Sequence, residues 1–243
     1  MNSGPPAAQR TRIKICGMTR EQDVDAAVAA GADAVGFVLY EPSARYVALP
    51  RAAQLARRLP PFVTPVLLFV NALAQEIQDA CAEVGAAVVQ FHGDETLEQC
   101  LAATANGARP FLRAARIPLD SSQAFDLVNF ASVYSSAQAI LLDAHVEEYG
   151  GGGKAFNWSR LPPSVNAHLV LSGGLTPANV TDGIQQVRPR CRSLSVDVSS
   201  GVERDGPGQK GIKDPEKIHQ FVAAVRAADR LLALNQHDFL STT

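Results

Sequence analysis

Eight short apolar runs succeed one another along this chain, each followed by a turn and then a stretch of helical periodicity. They cover residues 13–16, 34–39, 66–70, 87–91, 111–114, 139–142, 169–171 and 193–198. Continuous apolar runs of this length suit strands buried on both faces. Helices are expected over 50–59, 75–84, 95–105 and 125–133, with a short one at Trp158. Thr19 to Gln22 has the pattern of a capping box, ahead of a helix with Val24, Ala27 and Val28 on its apolar face. Asp214 and Pro215 read as N-cap and first residue of the last helix, which turns Ile218, Phe221, Val222 and Val225 inward. Alternation of this kind implies a parallel sheet with right-handed crossovers. A doubly wound open sheet is the rival to a closed barrel. Eight units within 243 residues favour the barrel. The expectation is an α/β chain with a single (β/α)8 TIM barrel over 12–230, a disordered leader over 1–11 and a loose polar tail over 231–243.

The last two units carry the clearest local signal. The stretch from Leu169 reads Leu-Val-Leu-Ser-Gly-Gly-Leu-Thr-Pro-Ala-Asn-Val180. Gly173 and Gly174 follow the strand, and Thr176 and Pro177 stand where an N-cap and first helical residue belong. Outward backbone N–H groups beside the positive end of a helix suit a phosphate. Taken alone, an ordinary strand-to-helix turn explains the glycines equally well. Ser199, Ser200 and Gly201 follow the next strand directly. Small residues at two successive strand ends are the cradle expected after strands seven and eight of such a barrel.

Composition narrows the partners. A formal net charge of -2 and the lack of a basic run argue against a nucleic-acid partner. No apolar run is long enough to span a membrane, and residues 1–12 lack the apolar core of a signal peptide. The four cysteines, Cys16, Cys81, Cys100 and Cys191, show no close pairing of the kind a zinc or redox site uses, so no metal is expected. A reducing cytoplasm is the natural setting, and Cys81 and Cys100, in alanine-rich stretches, read as packing residues. Oligomeric state is not legible, with a monomer the working expectation.

In a closed barrel the site lies at the C-terminal ends of the strands. Those ends offer Cys16, Arg45, Gln90, His92, Asp143 and Asp197. Cys16 reads equally as a small buried residue, while spacing alone favours solvated surface for Arg45. His92 has the alternative of a simple hydrogen bond in the rim, and the glycine run 150–153 that of a connector instead of a mobile lid. Asp143, directly after Ile140-Leu-Leu142, must be partnered, solvated or functional. A thiol, a carboxylate and a guanidinium opposite a phosphate cradle point to a phosphorylated substrate with an acidic group at its other end.

Several motifs together resemble one family. They are Lys14-Ile-Cys-Gly-Met-Thr19, Pro42-Ser-Ala-Arg-Tyr46, Gln90-Phe-His-Gly-Asp-Glu95, Leu141-Leu-Asp143, Leu171-Ser-Gly-Gly-Leu175, Val196-Asp-Val-Ser-Ser-Gly-Val-Glu203 and Gly211-Ile-Lys-Asp214. In this order, from about Ile13 to Ala227, the chain resembles phosphoribosylanthranilate isomerase. The resemblance implies an Amadori rearrangement in tryptophan biosynthesis, turning N-(5'-phosphoribosyl)anthranilate into an aminodeoxyribulose phosphate without metal or organic cofactor. It implies that Asp143 is the general acid that opens the ribose ring and Cys16 the base that takes the proton from C2'. Arg45 would hold the anthranilate carboxylate, and Asp197 would hydrogen-bond a ribose hydroxyl. Gly173, Gly174, Ser199, Ser200 and Gly201 would surround the phosphate, with Gln90 and His92 lining the pocket. A protonated carboxyl and a thiolate at once invert the ordinary pKa order of the two groups, near 3.9 and 8.5. One stretch departs from the pattern: residues 150–158 read Gly-Gly-Gly-Gly-Lys-Ala-Phe-Asn-Trp, where the family usually has two hydroxyls and a carboxylate in place of Gly152, Ala155 and Asn157. The alternatives are an isomerase of the same barrel with two aspartates, against which Cys16 argues, and a barrel that binds a phosphorylated ligand without turning it over.

Overall fold

A computed structural model describes residues 10–240 apart from 86, 120–124, 146–154 and 156. Its strands are β1 (Arg12–Cys16), β2 (Ala34–Val38), β3 (Thr64–Phe69), β4 (Val88–Phe91), β5 (Phe111–Pro118), β6 (Ala139–His145), β7 (His168–Leu171) and β8 (Ser193–Val198). They close into a barrel in sequence order, each parallel to its neighbours, with β1 pairing β8. Helices α1 (Glu21–Ala30), α2 (Leu49–Ala56), α3 (Ala74–Val84), α4 (Leu97–Ala103), α5 (Leu127–Val133), α6 (Val180–Val187) and α7 (Pro215–Leu240) lie between and after the strands. Between β6 and β7 the described residues hold only a 3₁₀ turn, Trp158–Arg160.

The period of two along each strand sorts side chains into two populations. Ile13 and Ile15 of β1 join the large core that strands share with helices, with Val24 and Ala27 of α1 and Ile218, Phe221 and Val225 of α7. Full burial of one such side chain contributes about 1.5–3 kcal/mol. Two small apolar clusters stand apart from that core: Cys16, Val38, Leu68 and Val70, and Ala114, Leu141 and Val170. Buried polar residues accompany them, among them Lys14, Gln90, His92, Asp143, Ser172 and Asp197. On the period of two, Lys14 and Cys16 share one face of β1, the one turned into the barrel.

Several elements differ from the sequence reading, each for a local reason. β6 continues to His145, so Asp143 lies inside a strand and pairs with Arg116 of β5. β5 itself runs past the expected end at 114; Arg113 breaks the apolar run yet is buried, its guanidinium over Phe130 and Tyr134. Thr19 does not cap α1. Arg20 occupies the N-cap without a capping bond and instead binds Asp23 at 2.5 Å. α4 starts at Leu97 because Thr96 and Gln99 form a capping box there, at 3.2 and 2.8 Å. α6 starts at Val180, not at Pro177. Asn179 takes the turn over: its Oδ1 accepts from the Thr176 N–H at 2.8 Å and its Nδ2 donates to the Gly174 carbonyl at 3.0 Å.

The expectation for the last helix is met at its start, where Asp214 Oδ1 accepts from the Glu216 N–H at 2.9 Å. It fails at the end, since α7 continues to Leu240 through the alanine- and leucine-rich stretch expected as a loose tail from 231. The leader boundary also shifts. Thr11 is buried, and its N–H and hydroxyl donate to Asp229 at 2.9 and 2.5 Å. The rest of the leader, residues 1–9, and the glycine run 150–153 lie outside the described residues.

Candidate active site

β1 and β8 are in register at Lys14 and Asp197, and the two side chains form a buried ion pair, Nζ to Oδ1 at 2.9 Å. Ser172, just past β7, donates from Oγ to the other Asp197 oxygen at 3.2 Å. Two residues further along β1, Cys16 is in register with Gly36 of β2. A β carbon on Gly36 would lie 2.6 Å from the Cys16 sulfur and 3.0 Å from Lys14 Cε, so this glycine makes the room in which both side chains sit. Burial pushes the Cys16 thiol pKa up; Lys14 pulls against that and Asp197 adds to it, and the balance stays above the ordinary thiol value. Burial acts to lower the Lys14 pKa, but the attraction of Asp197 and Cys16 outweighs it and leaves it raised.

Across the barrel, β4 and β6 carry a chain of three polar groups. The Gln90 amide donates to His92 Nδ1 at 3.0 Å, which leaves the proton on Nε2 to be donated to Asp143 Oδ2 at 2.9 Å. The Ala144 N–H holds the other Asp143 oxygen at 3.0 Å. All three side chains are buried, and among the described residues Gln90 Oε1 has no partner. The turn after β4 is fastened from outside: Glu95 accepts from the N–H groups of Gly93 and Asn71 at 2.9 and 2.8 Å, and Arg113 donates to the Gly93 carbonyl at 3.1 Å.

The glycines after β7 and β8 are tied to this geometry. Gly173 has φ 72°, and a β carbon there would stand 2.7 Å from Asp143 Oδ1. The loop after β7 therefore lies directly against the Asp143 carboxylate. Gly174 has φ 66°, and a side chain on Gly201 would run into the Leu175 carbonyl, so the loops after β7 and β8 meet backbone to backbone. Ser200 opens a 3₁₀ turn, Ser200–Val202. Ser199 is already engaged: its hydroxyl donates to the Cys16 carbonyl at 3.1 Å and accepts from Lys213 Nζ at 3.2 Å.

Arg45 is not solvated surface. Its stem packs on Gly17, and its head makes a two-pronged pair with Glu203, Nε to Oε1 at 2.6 Å and Nη2 to Oε2 at 3.0 Å. Lys213 Nζ joins Glu203 Oε1 at 3.0 Å. Burial works against the charge on Glu203, yet Arg45 and Lys213 overcome it and hold the carboxyl down at about 2. The Lys213 pKa is lowered, by burial first and by Arg45 as well, against the pull of Glu203.

The eleven residues expected from the sequence thus gather at or near the C-terminal ends of the strands. Strand-end position alone does not single out Lys14, Ser172, Glu203 and Lys213, which the structure brings to the same place. The signal for Lys14 was present: a charged residue in an apolar strand, on the same face as Cys16 by the period of two.

Residues 13–224 match the family model described as N-(5'phosphoribosyl)anthranilate (PRA) isomerase. The chain belongs to this isomerase family. A curated N-(5'-phosphoribosyl)anthranilate isomerase of Methylibium petroleiphilum is 59% identical over 227 residues, covering 93% of this chain and 99% of that one. The isomerase of Leptothrix cholodnii is 60% identical over 220 residues, covering 90% and 93%. Among solved structures, the phosphoribosyl anthranilate isomerase of Thermotoga maritima is 37% identical with a TM-score of 0.76, covering 89% of this chain and 99% of that one. Another isomerase, solved in complex with reduced 1-(o-carboxyphenylamino)-1-deoxyribulose 5-phosphate, is 34% identical with a TM-score of 0.70 and covers 89% and 99%. Membership makes the chain an isomerase of tryptophan biosynthesis. No helix among the described residues is long and apolar enough to cross a membrane.

Proposed function

We propose that the barrel mouth is the active site, with Asp143 as general acid and Cys16 as general base in the rearrangement of N-(5'-phosphoribosyl)anthranilate. The observation that carries this reading is the contact between Gly173 and Asp143, where a β carbon would come within 2.7 Å of the carboxylate. In a phosphoribosyl group the ring oxygen lies a few bonds from the 5'-phosphate. An acid set against a phosphate loop is where that ring oxygen would come.

Asp143 gives its proton to the ring oxygen as the C1'–O bond breaks, and the anthranilate nitrogen lone pair forms the C1'=N bond. Cys16 then takes the proton from C2', leaving an enolamine, which becomes the ketone as C1' gains a proton and the C2' hydroxyl gives up its own to solvent. Arg45 binds the anthranilate carboxylate, its Nη1 being without a partner among the described residues while Glu203 holds Nε and Nη2. Asp197 accepts from a ribose hydroxyl. Gly173, Gly174, Ser199, Ser200 and Gly201 receive the phosphate. Gln90 and His92 line the pocket, and the His92 bond fixes how the Asp143 carboxyl is turned.

The proposed catalytic unit is a monomer, working on a small phosphorylated molecule in the cytoplasm. The test is turnover of phosphoribosylanthranilate by the purified chain, followed as loss of substrate fluorescence. Turnover is expected. Tight binding of the substrate without turnover would make the barrel a phospholigand sensor and overturn the reading.

A further inference from the structure

A base must lose its proton before it can act, and the burial of Cys16 opposes that loss. The surroundings of the sulfur show where the compensating charge comes from. Lys14 and Cys16 lie two residues apart on β1 and share its inward face. The space beside both is the one Gly36 leaves open, with a missing β carbon 2.6 Å from the sulfur and 3.0 Å from Lys14 Cε. The ammonium, one bond beyond Cε, is 2.9 Å from Asp197 Oδ1. Asp197 is thus the acceptor that holds it, and the Cys16 sulfur borders the same space and acts on its charge.

The charged groups felt at the sulfur are Lys14 on its own strand, Asp197 on β8 and Lys213 ahead of α7. β2, on the other side, brings Gly36 and Val38 and no charged group, and Tyr40 beyond it packs against the same cluster. Lys213 is committed elsewhere, to the Ser199 carbonyl at 3.0 Å, the Ser199 hydroxyl and Glu203. Lys14 is therefore the cation whose allegiance can change.

We propose that Lys14 is a positioning residue that sets the protonation of Cys16, with Asp197 as its competitor. In the empty site Asp197 draws the ammonium and the sulfur keeps its proton. When a substrate hydroxyl donates to Asp197, the carboxylate's hold on Lys14 weakens. The ammonium's charge then favours the thiolate, and the proton goes to bulk water. The base is thereby armed by the ligand that it serves, and a buried thiolate does not stand exposed to oxidants between turnovers. This rests on the reading of Cys16 as base, and it assigns Lys14 no contact with the reacting carbon.

The experiment is a pH titration of the ultraviolet absorbance of the Cys16 thiolate. It is taken in the full-length protein as the difference between each variant and the same variant carrying Cys16→Ser, which cancels Cys81, Cys100 and Cys191. Lys14→Met should raise the midpoint and Asp197→Asn should lower it, each by roughly one to three pH units. A merely structural ion pair predicts shifts in the same direction, since both substitutions break it. Shifts of the same sign, or no shift in either, overturn the proposal. If Lys14→Met does not fold, an unchanged or raised midpoint in Asp197→Asn is enough to overturn it. The wild-type protein supplies a third arm. Saturation with the reduced open-chain product analogue should lower its midpoint, and a midpoint that stays put contradicts the proposal. Failure of Cys16 as base is read separately, from kcat of Cys16→Ser.

Discussion

The two ends of this barrel use charge in different ways. At the N-terminal end, Asp229 accepts from the Thr11 N–H and hydroxyl and from Arg188 at 2.8 Å, and Asp33 accepts from the Ile13 N–H at 2.9 Å and binds Arg10. Each carboxylate there holds a backbone group, and the cluster ties the start of β1 to α7 and to β2. These side chains keep contact with water, Asp33 at 22% and Asp229 at 15% exposure. At the C-terminal end, Lys14 and Asp197 are each only 6% exposed, and among the described residues Asp197 is held by side chains alone, Lys14 and Ser172. A buried pair carries a large desolvation cost and is weak evidence for stability. A carboxylate bonded to backbone is fixed in place, whereas one bonded to side chains can exchange partners when a ligand arrives. On the proposed reading the lower cluster serves the fold and the Lys14–Asp197 pair above serves the chemistry.

The comparison breaks if charge removed at the top costs folding, or charge removed at the bottom costs turnover. The largest effect is expected for Asp143→Asn, which keeps shape but has no carboxyl proton to give. Its kcat should fall by about 10²–10⁴ with little change in melting temperature. Arg45→Met should come next. Removing its charge-assisted bonds should weaken binding of the reduced product analogue by roughly 1.5–3 kcal/mol, measured by calorimetry. Unchanged affinity would mean that Arg45 serves only to hold Glu203. At the opposite end, Asp229→Asn should lower unfolding stability in denaturant by about 1–2 kcal/mol while kcat and KM stay at wild-type values. A fall in kcat there would erase the division between the two ends.

The smallest effect concerns acid. The Glu203 carboxyl is held down from an ordinary 4.5 to about 2, so the folded state binds its proton less readily than the unfolded chain. Its stabilising contribution is complete above about 4.5 and fades as pH falls toward 2. Glu203→Gln should therefore show a shallower loss of melting temperature over that window than the wild type. Equal slopes would show that this pair does not contribute to acid stability.

Much of this was legible in the chain. The eight apolar runs gave the closed barrel, because strands buried on both faces cannot alternate and must be counted as runs. Asp143 could be singled out because a carboxylate at the end of such a run needs a reason to be there, whereas Cys16 reads equally as packing and comes forward only through the motif resemblance. What could not be read was partnership. Thr176 and Pro177 have the form of a helix start, but Asn179 closes the turn with its own side chain and delays the helix to Val180. Arg45 looked like a loop residue open to solvent, and only the folded chain brings Glu203 to it from 158 residues away. The Lys14–Asp197 pair spans 183 residues and depends on barrel closure, so no local pattern could reveal it.

The central claim is that the upper groups act on the transition state and not on the fold or the bound ground state. Cys16→Ser tests it most directly, since a hydroxyl of nearly the same size is too weak an acid to serve as the base. One preparation should be measured for kcat on phosphoribosylanthranilate and for Kd of the reduced open-chain product analogue. The account predicts that kcat falls by about 10²–10⁴ while the Kd stays within a few-fold of wild type, as expected for an interaction made mainly in the transition state. A kcat that survives within a few-fold, or an affinity that collapses along with it, would contradict the account.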